Sequence, residues 1–104
     1  MGKVEISPLA ETDLENIWEY FLKYSIESAK RIIKELGQKF DLLSENPKIG
    51  RSHDEFVVHL RSFPHKKYVI FYFPIENCIE VYRVLHGARD IEDFFDKYFI
   101  GLKP

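Results

Sequence analysis

The chain has 104 residues, 45% hydrophobic and 31% charged, with five Gly and five Pro, which excludes disordered and low-complexity classes and suits one domain over residues 1–104. A lone cysteine, Cys78, rules out an internal disulfide, and no apolar run approaches the roughly 18–20 residues of a membrane span. The net charge of −2 hides a split: residues 1–47 hold six basic and nine acidic groups, residues 48–89 seven and four, residues 90–104 two and four. A general phosphate binder is more often basic throughout, with a pI above about 9, so the basic middle points instead to a local anionic partner. Met1 to Glu5 lacks the apolar stretch of a signal peptide, so the expected setting is the reducing cytoplasm, without a membrane partner.

Lys3 to Ser7 alternates Val4 and Ile6 with polar neighbours, the pattern of a short half-buried strand. Ser7-Pro8 then reads as an N-cap followed by proline at the first helical position. Leu14, Ile17, Trp18 and Phe21 form one apolar stripe at i, i+3, i+4 and i+7. That helix should end near Tyr24, with Ser25 capping the next. Ala29, Ile32, Ile33, Leu36, Phe40 and Leu43 make a second stripe, stopped at Asn46-Pro47 because the residue before proline disfavours the helical well. The two helices should fold back on each other as a hairpin.

Beyond a polar loop over 48–55 the pattern becomes strand-like. Three strands are expected, Phe56 to Phe63, Tyr68 to Phe73 and Cys78 to Leu85, joined at 64–67 and 74–77. Asp90 should cap a short last helix over about 91–99. The resulting class is α+β, in the order β-α-α-β-β-β-α: an antiparallel sheet packed on an N-terminal helical hairpin, with a short C-terminal helix. In the middle strand Val69, Phe71 and Phe73 point one way and Tyr68, Ile70 and Tyr72 the other. Both faces are apolar, and the last helix, with Phe94, Phe95 and Tyr98, can cover only part of the face that the hairpin leaves open.

The runs Leu60-Arg61-Ser62-Phe63-Pro64, Tyr68-Val69-Ile70-Phe71-Tyr72 and Arg83-Val84-Leu85-His86-Gly87-Ala88-Arg89-Asp90 together resemble the ParE branch of the RelE/ParE toxin superfamily. Its members are the toxins of type II toxin–antitoxin modules, often called plasmid stabilisation proteins. The resemblance covers nearly the whole chain and implies the same element order. It also implies a cognate antitoxin as partner, DNA gyrase or a related topoisomerase as target, promoter DNA met only through the antitoxin, and no cofactor. ParE-like members trap the gyrase cleavage complex without catalysing covalent chemistry themselves.

RelE-like members instead resemble ribosome-dependent mRNA endoribonucleases, whose chemistry needs a base, cations and an acid around the scissile phosphate. The corresponding positions here hold Val57, His59, Val69 and Phe95, and only Arg89 matches. The enzyme reading is therefore the alternative, and a non-toxic antitoxin-binding remnant is a third. No catalytic residue and no metal ligand is assigned, because the four histidines and Cys78 show no recognised ligand spacing.

Arg61, Arg83, His86 and Arg89 are the candidates for a toxic surface. A structural role competes for each: Arg83 and Arg89 could pair with Asp90 or Glu80, and His86 could bond backbone beside Gly87. Lys66 and Lys67 are expected at a mobile hairpin tip. Tyr68, Ile70 and Tyr72, with Phe94, Phe95 and Tyr98, are the candidate antitoxin contacts, by helix-in-groove docking or strand addition. Trp18 belongs either to the core or to a partner's anchor point.

Overall fold

The computed structural model describes residues 3–87. The segment expected to form a last helix, about 91–99 with Phe94, Phe95 and Tyr98, lies outside the described residues, as do Arg89 and Asp90.

Strand β1 (Lys3–Ile6) leads into helices α1 (Pro8–Leu22) and α2 (Ile26–Glu45), followed by β2 (Arg51–Ser52), β3 (Arg61–His65), β4 (Tyr68–Ile75) and β5 (Cys78–His86). The sheet order is β1-β5-β4-β3-β2. Strands β2 to β5 pair antiparallel, but β1 lies parallel to β5, Lys3 opposite Cys78 and Ile6 opposite Val81. The sheet is thus mixed, not antiparallel throughout. The parallel pair is open to β1 because the helices and three intervening strands supply the long crossover such a pair needs.

Ser7 explains how α1 is set onto the sheet. Its Oγ accepts from Ala10 N at 3.1 Å as the N-cap and donates to the Tyr82 carbonyl at 2.7 Å, while its own N–H reaches Val81 O at 3.0 Å. One residue ends β1, starts α1 and satisfies the edge of β5 where β1 stops. Ser25 caps α2 by accepting from Ser28 N at 3.0 Å.

The main core lies between the hairpin and one sheet face: Ala10, Ile17, Ile32, Leu36, Phe40 and Leu43 against Tyr68, Ile70, Tyr72, Ile79, Val81 and Val84. Val81 and Val84 share a face although three residues apart, because a bulge shifts the β4–β5 register between Phe71 and Tyr72 and leaves Tyr82 as the extra residue. A smaller cluster of Leu60, Phe71 and Leu85, flanked by Val57, Val69, Phe73 and Tyr82, occupies the opposite face.

The strand expected from Phe56 begins only at Arg61. Residues 54–59 form a turn, in which Phe56 N and Val57 N donate to His53 O and Asp54 Oδ1 takes His59 N at 2.7 Å. His59 stands at φ 70°, outside extended backbone. The Asp54 side chain has drawn an apolar run away from the sheet, as short polar side chains do when they capture nearby backbone.

Candidate functional site

The β3–β4 hairpin turns through Lys66-Lys67, with Lys66 at φ 55°. Glu35, on α2, draws this turn down onto the helix: its Oε1 lies 2.9 Å from His65 Nε2 and 2.7 Å from Lys66 Nζ. The Lys66 ammonium first, and His65 second, hold the Glu35 carboxyl below its ordinary pKa. The hairpin was expected to be mobile at its tip, yet Lys66 is tethered. Gly87 N donates to Lys67 O at 2.7 Å and closes the same end of the sheet.

Facing this hairpin is the end of α1. Tyr20 meets Phe21 edge-to-face at 5.3 Å and Tyr24 at 5.7 Å, and the two tyrosine hydroxyls stand 3.4 Å apart. Between α1, α2 and the hairpin lies a groove of about 510 Å³. Its walls are Tyr20 and Phe21 of α1, Tyr24 of the turn that follows, and Ser28 and Ile32 of α2; Tyr68 and His86 form the sheet side, Lys66 and Lys67 the rim. Tyr24 is 70% exposed and Tyr20 41%. The size falls within the roughly 300–1,000 Å³ of binding clefts. A second cleft, about 570 Å³, lies at the other end of the sheet beside Pro47, Lys48, Ile49, His59 and Arg61.

Of the candidate toxic-surface residues, Arg83 and Arg61 are committed elsewhere. Arg83 grips Asp13 of α1 in a fork, Nε to Oδ2 at 2.8 Å and Nη2 to Oδ1 at 3.0 Å. Asp13 Oδ2 also accepts Val84 N at 2.9 Å, so one carboxylate takes three donors and fastens α1 to β5 beyond the end of β1. Asp13 was not among the partners expected for this arginine, Glu80 and Asp90, and Asp90 lies outside the described residues. Arg61 Nη1 donates to Gly50 O at 2.6 Å and Lys48 O at 3.1 Å, holding the loop after α2. Tyr72 clasps the same loop, its buried hydroxyl accepting Gly50 N at 3.0 Å and donating to Pro47 O at 2.7 Å. Gly50 is required there, since a Cβ would come within 2.8 Å of Ser62 O and collide with the Tyr72 ring. His86 sits edge-on to Tyr68 at 5.6 Å, on the groove wall. Arg89 lies outside the described residues.

The candidate antitoxin contacts need correcting on β4. Tyr68, Ile70 and Tyr72 are 5%, 0% and 0% exposed, on the face that the hairpin covers. Sequence alternation separated the two faces without showing which one the helices take. Only Tyr68, at the groove, borders a surface that a partner can reach. The signal that was missed is the Tyr20–Tyr24 pair, whose i, i+4 spacing carries the aromatic stripe past the core-facing positions of α1.

Val57 borders the smaller cluster, Val69 faces the same way, and His59 stands exposed in the turn. Phe95 lies outside the described residues. His53 is buried with Nε2 2.7 Å from Ser62 Oγ, and burial, then Arg51, pushes its pKa down. Cys78 is buried. Trp18 is half-buried in a shallow hollow with Leu14, Glu15, Glu19 and Ile33. Among the described residues no three His, Cys, Asp or Glu side chains converge as a metal site, and no helix is long and apolar enough to cross a membrane.

The family model for the "ParE toxin of type II toxin-antitoxin system, parDE" matches residues 4–91. Two curated proteins named Toxin ParE1, from Mycobacterium tuberculosis strains CDC 1551 / Oshkosh and ATCC 25618 / H37Rv, are each 33% identical over 89 residues, which is 84% of this chain and 91% of theirs. A solved structure described as "Chromosomal ParDE TA system from P. aeruginosa" superposes with a TM-score of 0.69 at 15% identity, over 83% of this chain and 96% of that one. That likeness is one of fold.

Proposed function

This chain belongs to the ParE toxin family of type II toxin–antitoxin systems, and from that premise we propose that it inhibits DNA gyrase by trapping its DNA cleavage complex and is neutralised by a cognate ParD-type antitoxin. The observation that carries the reading is the 33% identity to Toxin ParE1 proteins across 84% of the chain. The site chemistry favours a binding protein over a nuclease. Phosphodiester transfer needs groups that accept and donate protons beside the scissile phosphate, and Val57 and Val69 offer none. Promoter DNA is met through the antitoxin.

In this reading the gyrase-facing cation is Arg89, with His86 three positions earlier in the chain. Arg61 and Arg83 act through the scaffold, since their guanidinium groups hold the 48–50 loop and Asp13. Induced expression tests the proposal, scored for growth arrest, SOS-type DNA damage and mRNA cleavage in the same cultures. Arrest with DNA damage and intact mRNA is expected. Arrest with codon-positioned mRNA cleavage, abolished by Arg89→Ala, would overturn it in favour of the nuclease, and antitoxin binding without arrest would identify a remnant.

A further inference from the structure

We propose that the outer seam of the helical hairpin, where Trp18 stands between α1 and α2, is an interface with a second copy of this chain. The seam shares no residue with the groove at the β3–β4 turn, and the inference does not depend on the toxin–antitoxin reading.

The apolar part of the seam is a shallow hollow of about 340 Å³ bounded by Leu14, Trp18 and Ile33. A helix turns about 100° per residue, so Trp18 follows the buried Ile17 round to the side of α1 and stays outside the core cluster. Leu22, one turn on from Trp18, and Ile26 at the start of α2 are 44% and 48% exposed. Gly37, one turn beyond Ile33, leaves a gap in the middle of α2. A Cβ there would meet nothing within 4 Å outside the helix's own backbone. Glycine inside a helix weakens it, and no neighbour among the described residues needs the space. A second helix crossing the seam does.

Charge selects a second copy as the occupant. All four charged residues of α1 are acidic; Asp13 is turned to Arg83, and Glu15 and Glu19 border the hollow. On α2, Lys30 and Lys34 lie one turn apart, and the same helical step sets them on the outer side with Gly37. Glu19 and Lys30 are equally far along the chain from the turn between the helices, as are Glu15 and Lys34, so each pair stands at one level. None of the four makes an ion pair among the described residues.

A two-fold axis along the seam lays α2 of one copy over α1 of the other. Glu15 and Glu19 then meet Lys34 and Lys30 of the second copy, and symmetry repeats both contacts. An axis across the seam would set acid against acid. A partner of one sign would be repelled by one of the two stripes, and an uncharged one would use neither. The 15 residues of α1 span about 22 Å, and two packed helices are about 20 Å wide. Two copies therefore bury on the order of 900 Å², the size of weak, reversible pairs.

Sedimentation velocity of the purified full chain over a concentration series tests this, with thermal melts of every variant to confirm folding. A monomer–dimer equilibrium is expected, and emission from Trp18, the one tryptophan, should shift to the blue as dimer forms. Gly37→Gln fills space that the monomer leaves open and improves the helix; it should weaken the dimer about tenfold or more without lowering the melting temperature. Glu15→Lys with Glu19→Lys, and Lys30→Glu with Lys34→Glu, should each fail to self-associate. Mixed, the two reversed chains should pair, because each supplies the charge the other lacks. That pairing should fade at high salt and disappear when both carry Gly37→Gln. A chain that stays monomeric throughout would overturn the proposal, as would a dimer that Gly37→Gln and the charge reversals leave unchanged. A blue shift seen only on adding antitoxin, with the toxin itself monomeric, would give the seam to that partner and equally overturn it.

Discussion

Removing the Arg83 guanidinium separates a scaffold role from a toxic one. In Arg83→Ala two charge-assisted bonds to Asp13 vanish, and α1 loses its forked attachment to β5. Truncating one partner of a fully buried pair costs about 3–5 kcal/mol. Here the side chains keep 19% and 11% exposure, and Asp13 retains Val84 N, so the stranded carboxylate is partly hydrated. About 2 kcal/mol is therefore expected, or a fall in melting temperature of roughly 8–12 °C for a domain of this size. Arg83→Lys keeps charge but not the fork, and should lose about half as much. Urea denaturation of Arg83→Ala, Asp13→Asn and the double variant measures the coupling, which should exceed about 1 kcal/mol. Growth arrest on the same variants should decline in step with stability, whereas Arg89→Ala should lose toxicity at an unchanged melting temperature. Additive single effects, or an Arg83→Ala protein that melts like the unaltered chain yet is harmless, would refute the scaffold role.

Tyr72→Phe removes the hydroxyl that accepts Gly50 N and donates to Pro47 O; with Arg61 still holding the loop, a loss of about 1–2 kcal/mol is expected, together with faster hydrogen exchange at Gly50. Acid should destabilise the fold in two stages. Burial lowers the His53 pKa below 6.5 in the folded chain, so the unfolded chain takes up that proton first, and stability falls as pH drops from about 6.5 through the folded value. Glu35, also depressed, stabilises above the ordinary carboxylate pKa, and its contribution is lost as pH falls further. Urea midpoints between pH 8 and pH 3 follow both stages, and His53→Gln should flatten the first.

The elements that announce themselves in the sequence carry their own punctuation. Ser7-Pro8, Ser25 and Asn46-Pro47 mark the helix ends within two residues, and the α2 stripe names buried residues at every position but Ile33, whereas of the α1 stripe only Ile17 is buried and Trp18 stays outside the core. What sequence spacing cannot carry is contact between distant positions. Asp13 and Arg83 are 70 residues apart, so the arginine reads as a surface cation until α1 is laid across β5. A strand apolar on both faces, like β4, does not say which face the helices take, and the bulge at Tyr82 shifts the alternation partway along β5. The parallel pairing of β1 was likewise hidden, because a four-residue strand has too little pattern to choose its partner. The 54–59 turn was misread because its hydrophobicity outweighed one aspartate. The groove was missed for a related reason: Tyr24 lies beyond the last stripe residue and past the end of α1, in the turn before α2, where helical periodicity says nothing of what a side chain faces.

The most direct measurement of the central claim is a supercoiling and DNA-cleavage assay with purified gyrase, the full chain and ATP, run with and without the cognate antitoxin. The account predicts loss of supercoiling and accumulation of protein-linked double-strand breaks, both reversed by antitoxin added before the toxin. Undiminished supercoiling without trapped breaks, at toxin concentrations that arrest growth, would contradict it.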